Sequence, residues 1–292
     1  MTHIFNSTIL MSDADNFSTE QPINPYYNHD VVDLEKAKQE HAKIKELLTQ
    51  AGIKITTVSS PVDSQDGVYT ANWGLVRGDK AIIARLPDAR KTEESYAEKA
   101  LVSLGKQVFH IPDNFKFSGQ GDALACGNYL FCGSGYRSDI EAQKFAAETL
   151  GYERIQLQTI PQLDDSGNQI INSSTGWPDS FFYDIDLALA IIKTPTVKQK
   201  GLIAYCPEAF TLESRKLLAN FDVVDKIEVS ISEAKQAFAT NLISTGETVV
   251  MSAHAPELAK NLTNHGLRIL SPEITELSKG GGYIRCVTLT ID

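Results

Sequence analysis

Near the end of the chain, the glycine run Gly280-Gly281-Gly282 leads into Tyr283-Ile284-Arg285-Cys286-Val287-Thr288-Leu289-Thr290. Glycines let backbone pass where a Cβ would clash. The alternating stretch after them predicts a strand over 283–291. Cys286 stands beside a cation, Arg285. A thiolate is the nucleophilic form of cysteine, and a neighbouring positive charge lowers a thiol's pKa. Taken alone, Cys286 reads first as a small buried hydrophobe, and only its surroundings point to catalysis.

Other chemistry-bearing residues recur at one structural position. Asp66 and Asn72 lie in Gln65-Asp66-Gly67-Val68-Tyr69-Thr70-Ala71-Asn72-Trp73, and Asp122 closes Phe117-Ser118-Gly119-Gln120-Gly121-Asp122. Asp184 and Asp186 lie in Phe182-Tyr183-Asp184-Ile185-Asp186-Leu187, followed along the chain by Asn241 and then Cys286. Each of these residues alone reads as a turn or a cap. Together they suit a planar cation, because carboxylates accept the fork of guanidinium donors two at a time.

A repeated unit must position them: apolar strand, polar link, amphipathic helix, apolar strand. Its five copies have strands predicted at 7–11, 81–85, 129–133, 201–206 and 248–252. Their helices fall at 33–50, 93–104, 139–150, 212–220 and 256–265, and the second strands at 53–59, 107–111, 154–157, 226–229 and 267–270. Gly52, Gly105, Gly151 and Gly266 follow four of the helices as left-handed stops. One further strand connects consecutive units, at 67–76, 122–126, 183–192, 238–244 and 283–291. Such modules cannot bury their apolar faces alone and must pack together. No Pro/Gly/Ser linker divides them, so the expectation is a single α/β domain over 1–292. The polar insertion 161–180 reads as a loop over one face, either a lid or a spacer.

The 292 residues carry a net charge of −10 with no Lys/Arg block, which argues against nucleic acid or an anionic membrane as partner. Cys126, Cys132, Cys206 and Cys286 lack metal-type spacing, so neither metal nor cofactor is expected. The N-terminal residues show no signal-peptide pattern and no apolar run approaches 18 residues. A cytoplasmic protein with a small-molecule partner, and a homo-oligomer at most, is the expectation.

The segments Asp66…Thr70-Ala71-Asn72, Gly119-Gln120-Gly121-Asp122, Gly135-Tyr136-Arg137-Ser138, Phe182-Tyr183-x-x-Asp186 and Gly281-Gly282…Arg285-Cys286-x-Thr288 resemble the guanidine-modifying (pentein) superfamily. Within it they are most similar to the dimethylarginine dimethylaminohydrolase and arginine dihydrolase/deiminase group. The resemblance runs the length of the chain and implies a five-bladed α/β-propeller with pseudo-fivefold symmetry. It also implies a hydrolase that cleaves a guanidino C–N bond through a covalent thiouronium on Cys286. Asp66 and Asp186 match carboxylates that grip guanidinium nitrogens, and Asp122 and Asn72 stand beside them. Arg137 matches an arginine near the substrate's α-carboxylate, with Arg85 or Arg90 as a second clamp.

Two departures qualify the resemblance. The family's general acid/base histidine is replaced by Asp184, and a family glutamate by Ser118. An aspartate needs an upward shift of about three pKa units, roughly 4 kcal/mol, to act as an acid at neutral pH. Crowding among Asp66, Asp122, Asp184 and Asp186 is a source of that shift. His3, His29, His110, His254 and His265 fall outside the motifs, and only His29 stays open as a substitute. Tyr283, where a third glycine is usual, is expected to narrow the approach to Cys286. The alternatives are a non-catalytic pentein that binds a cationic amino acid, an amidinotransferase, or a structural propeller serving protein contacts.

Overall fold

The structure, a computed structural model, describes residues 5–21, 23, 27, 31–173 and 175–292. Its first repeat is β1 (Thr8–Ser12), α1 (Leu34–Gln50) and β2 (Lys54–Val58); the next is β3 (Gly74–Arg77), β4 (Lys80–Ile83), α2 (Thr92–Ser103) and β5 (Gln107–His110). The third is β6 (Ala123–Cys126), β7 (Tyr129–Cys132), α3 (Ile140–Leu150) and β8 (Glu153–Gln156). The fourth is β9 (Leu189–Lys193), β10 (Gly201–Tyr205), α4 (Leu212–Asn220) and β11 (Val224–Glu228). After the short α5 (Ile231–Gln236), absent from the sequence reading, come β12 (Ile243–Ser244), β13 (Thr248–Val250), α6 (Pro256–Asn264), β14 (Arg268–Leu270) and β15 (Leu289–Thr290).

These strands form five three-stranded sheets, ordered β15-β1-β2, β3-β4-β5, β6-β7-β8, β9-β10-β11 and β12-β13-β14. In each, the middle strand runs parallel to the strand after its helix and antiparallel to the connecting strand. A parallel pair requires a crossover, which the helix supplies. The five helices at the expected positions reflect apolar residues at helical spacing: in α1, Ala37, Ile44 and Leu48 are fully buried. Gly52, Gly105, Gly151 and Gly266 all take positive φ, as left-handed stops should. The first sheet is completed by the far end of the chain, with Ile9 opposite Thr290 and Leu10 opposite Leu289.

The connecting strands are shorter than the sequence predicts. The segment 283–291 is a strand only at Leu289–Thr290, and Arg285 and Cys286 sit in the turn before it. Likewise Asp66 and Asn72 precede β3, Asp122 precedes β6, Asp184 and Asp186 precede β9, and Asn241 precedes β12. The reason is geometric. A strand sends successive side chains to opposite faces, whereas a tight turn can gather several around one point. The turns close on themselves: Asp122 N–H donates to Gly119 O, Leu187 N–H to Asp184 O, and Thr288 N–H to Arg285 O.

The insertion 161–180 folds back on itself through bridges Leu163–Gln169 and Ile171–Pro178. Asn172 Nδ2 donates to Ile23 O at 2.9 Å. The glycine run is approached from a short 3-10 turn, Leu277–Gly280, which a buried carboxylate on α1 anchors. Glu40 accepts from the backbone N–H groups of Thr275 (2.8 Å), Glu276 (2.9 Å) and Leu277 (3.0 Å). Replacing Glu40 by alanine leaves these three donors unmatched and is expected to cost about 3 kcal/mol. Chemical denaturation would read this as a lower midpoint; an unchanged midpoint would mean that the turn is held by other contacts.

Candidate active site

Cys286 is 5% exposed and opens onto a small cavity. The cavity's lining comprises Ile23, Tyr27, Asp66, Tyr69, Asn72, Arg90, Arg137, Tyr183, Asp184, Gly280, Gly282 and Cys286. Its free space is about 10 Å³, room for about one water. Close backbone approach explains the glycines. A Cβ on Gly282 would lie 2.5 Å from the Tyr69 ring. On Gly121 it would lie 2.5 Å from Asn72 Nδ2 and 2.6 Å from Asp184 Oδ2.

Cys286 is positioned by Asn241. The Asn241 Oδ1 accepts from the backbone N–H of Arg285 (2.8 Å) and of Cys286 (3.2 Å), while Nδ2 donates to Cys286 Sγ at 3.1 Å. Asp186 Oδ2 lies 3.6 Å from the same sulfur, and the Cys286 carbonyl accepts from Ala71 N–H. The sequence led us to expect that Arg285 would activate the thiol. The structure reverses this. The Arg285 guanidinium turns away and donates to Gln120 Oε1 at 2.8 Å. Burial pushes the Cys286 thiol well above its ordinary range, and Asp186 and Asp184 add to the rise against the opposing bond from Asn241. The surroundings of Cys286 thus favour the neutral thiol.

The carboxylates are buried and only partly matched. One oxygen of each of Asp66, Asp122, Asp184 and Asp186 has no hydrogen-bond partner. Tyr27 donates to Asp66 Oδ1 at 2.5 Å. Burial raises Asp66 to about 6, with Arg90 and Tyr27 pulling the other way. Asp122 and Asp186 are pushed well up by burial and then by the charge of Asp184. Asp184 Oδ2 accepts from Asn72 Nδ2 at 2.9 Å and faces Arg137 Nη1 at 4.0 Å. Arg137 lies flat on the Tyr183 ring, 3.9 Å from its centroid, a cation–π arrangement.

A buried ion pair frames one wall. Arg90 Nε and Nη2 donate to Glu93 at 2.8 and 2.7 Å, and Nη1 to Asn72 Oδ1 at 2.9 Å. Trp73 Nε1 and Ser64 Oγ complete the Glu93 carboxylate. Arg90 therefore lines the cavity with its donors already engaged. Arg85 does not line it; this guanidinium pairs with Glu94 and with Asp113 at a partly exposed position. Of the two clamps the sequence left open, neither presents free donors to the pocket.

Asp122 and Asp186 also lie off the cavity lining. Asp122 Oδ1 accepts from Ile185 N–H at 3.1 Å and so fixes the turn that carries Asp184 and Asp186. Ser118 Oγ accepts from Asn72 Nδ2 at 2.9 Å, holding that amide toward Asp184. Tyr283 does not narrow the approach to Cys286. Instead it stacks on Phe238, with ring centroids 5.4 Å apart, and its hydroxyl pairs with Ser252.

Tyr27 and Ile23 complete the site although the sequence reading did not single them out, and Asn241, grouped there with the polar turns, takes a role it did not specify. For Asn241 the signal was its place in the module; Tyr27, in a loop without pattern, gave none. His29 and His3 lie outside the described residues. His41, which the motif reading passed over, is buried in α1, held down to about 4 by desolvation, and does not line the cavity.

Comparison with known proteins follows this geometry. Residues 11–292 match the family model of the eukaryotic N,N dimethylarginine dimethylhydrolases. The bifunctional arginine dihydrolase/ornithine cyclodeaminase AgrE of a Nostoc strain is 27% identical over 288 residues, covering 97% of this chain and 37% of the relative. The N(G),N(G)-dimethylarginine dimethylaminohydrolase of Mycobacterium tuberculosis is 28% identical over 278 residues, 94% of this chain and 82% of that one. A crystal structure of an AgrE cysteine-to-alanine mutant with L-arginine superposes with a TM-score of 0.84 at 26% identity, covering 98% of this chain and 40% of that one. The chain thus spans little more than a third of the bifunctional relative. Fold and matches define a protein of the guanidine-modifying superfamily, in its dimethylargininase and arginine dihydrolase group. The chain belongs to the N,N-dimethylarginine dimethylhydrolase family.

The raised thiol gives a direct expectation. Alkylation of Cys286 by a small uncharged reagent, followed by peptide mass spectrometry, should keep accelerating beyond pH 9. A plateau at or below the ordinary cysteine pKa of about 8.5 would contradict the neutral-thiol reading.

Proposed function

We propose that the protein is a cysteine-dependent hydrolase acting on the guanidino group of arginine or a modified arginine. On this reading the five sheets are the blades of a single α/β-propeller domain over residues 1–292. The observation that carries the proposal is the meeting, in one cavity, of the Cys286 thiol, Asp66 and Asp184, each with one unmatched oxygen, and Arg137. The oxygens suit a guanidinium fork, and Arg137 suits the carboxylate at the other end of an amino acid.

The electrostatics support substrate-triggered chemistry. A guanidinium entering between Asp66 and Asp184 offsets the negative charge that holds the thiol proton in place and favours the ionised form of Asp186, which leaves that carboxylate able to accept a proton. Asp186, 3.6 Å from Sγ, is placed to take the thiol proton. The thiolate attacks the guanidinium carbon, an S–C bond forms and a C–N bond breaks, and the departing amine carries off a proton. Water then adds to the same carbon, the S–C bond breaks, and the thiol is restored. Asp184, standing where the family has histidine, is the group nearest that role within the lining. A second reading, a protein that binds a cationic amino acid without turnover, is favoured by one observation: no histidine lies among the described lining residues.

Incubation with a panel of guanidino compounds, read by intact mass and product analysis, separates the two. The expected outcome is product or a covalent adduct with wild type and neither with Cys286→Ala. Absence of both with wild type, and turnover appearing in Asp184→His, would establish the binding protein instead. Affinity should also depend on pH. Asp66 titrates near 6, and its charged form binds the cation. Affinity of Cys286→Ala for L-arginine should therefore rise as pH increases through about 6, and Asp66→Asn should erase that inflection. A profile flat from pH 5 to pH 7 would remove Asp66 from guanidinium binding.

A further inference from the structure

A second and larger cavity, of about 550 Å³, shares no lining residue with that of Cys286. Its size falls within the range of small-molecule sites, roughly 300–1,000 Å³. Leu124, Leu189, Ile191, Leu242 and Ile243 give it an apolar wall. Against that wall stand polar groups that the fold leaves incompletely matched.

Thr240 is 1% exposed, lines the cavity, and its Oγ1 has no hydrogen-bond partner. Asp186 lines it too; Oδ2 faces the Cys286 sulfur, and Oδ1 has no partner. Arg285 lines it with one firm bond, to Gln120 Oε1 at 2.8 Å, and contacts of 3.4 and 3.5 Å to Thr290 Oγ1 and Thr288 O. A guanidinium carries five N–H donors, so a buried one with a single firm bond has capacity left for a ligand. The other charged lining groups, Arg77 and Asp292, are engaged. Arg77 donates to Leu150 O, Gly151 O and Asn128 Oδ1, and Asp292 accepts from Ser7 and Thr8 N–H.

One cation and one acid, each incompletely matched and both set against apolar walls, call for a ligand that is itself dipolar with an apolar tail. A simple carboxylate would leave Asp186 unmatched, and a simple amine would leave Arg285 so. We propose that this cavity is an effector site for an apolar α-amino acid. Its carboxylate meets Arg285 and the Thr240 hydroxyl, its ammonium meets Asp186 Oδ1, and its side chain lies along the aliphatic wall.

The site also touches the catalytic segment from behind. Arg285 and Cys286 are consecutive, as are Thr240 and Asn241, and Asn241 binds both Arg285 N–H and Cys286 Sγ. A ligand drawn to Arg285 and Thr240 therefore biases the two segments that aim the nucleophile. Such coupling is reciprocal between the two ligands.

Isothermal titration of the full chain with L-leucine tests this, beside isocaproate, which lacks the amine, and isoamylamine, which lacks the carboxylate. Saturable binding of leucine alone, retained in Cys286→Ala and not displaced by L-arginine, is expected. Thr240→Val removes one hydroxyl of matching shape and should weaken leucine about tenfold or more, the value of one hydrogen bond to a charged group. Arg285→Gln should weaken it more than Thr240→Val does. Absence of saturable leucine binding by wild type at about 10 mM, a ligand weaker than any useful effector, would overturn the proposal. So would isocaproate binding as tightly as leucine, or full competition by L-arginine. Each of these readouts is independent of turnover, so the catalytic reading stands or falls separately.

Discussion

The structure is governed by the cost of burying negative charge. Asp66, Asp122, Asp184 and Asp186 are each no more than 2% exposed, and each keeps an oxygen that no donor reaches. Leaving a carboxylate ionised in a dry interior is expensive, so burial pushes Asp66, Asp122 and Asp186 upward and raises the Cys286 thiol with them. The protein tolerates this because the surrounding turns are fixed by bonds that do not depend on the site's own charge. Glu40 gathers three backbone donors beneath the glycine run, Asn241 ties two consecutive N–H groups, and the Arg90–Glu93 pair stiffens the wall that bears Asn72. Unmatched oxygens remain on Asp66 and Asp184 at the cavity of Cys286, on Asp122 off its lining, and on Asp186 and Thr240 at the larger cavity.

That arrangement explains the division of labour among the acids. Asp66 and Asp184 face the small cavity, Asp122 braces the turn beneath them, and Asp186 stands between the sulfur and the larger cavity. A carboxylate cluster that looks uniform in sequence is thus three kinds of group in space. Asp184 is specified in the same way: its carboxylate is held by Asn72 and faces Arg137.

Much of this could be read from the chain. The five helices with their glycine stops were legible because amphipathic spacing and left-handed termini are local properties. The polar turns were legible because they recur at one point of each module. Their placement within strands was misjudged, since a turn and a strand end share the same apolar flanks. The direction of Arg285 was not legible at all. Adjacency in sequence fixes a backbone spacing of a few ångström, but in a turn the next side chain can point to the opposite side, and here it points into a different cavity. Tyr27 was missed for a related reason: it reaches Asp66 from a loop without periodicity, 39 residues away.

The pairing of β1 with β15 has a kinetic meaning. Thr8 and Asp292, 284 residues apart, are joined by a direct hydrogen bond, and Cys286 lies only a few residues before that closure. Contacts so distant in sequence are slow to form, because the entropy of the intervening loop is lost before the contact rewards it. Sheets made of local pairs, such as β3-β4-β5 and β6-β7-β8, can assemble while the first sheet still lacks its edge. The cavity of Cys286 is then among the last parts of the molecule to form, and a chain arrested before that final strand docks would be largely structured yet without Cys286 in place.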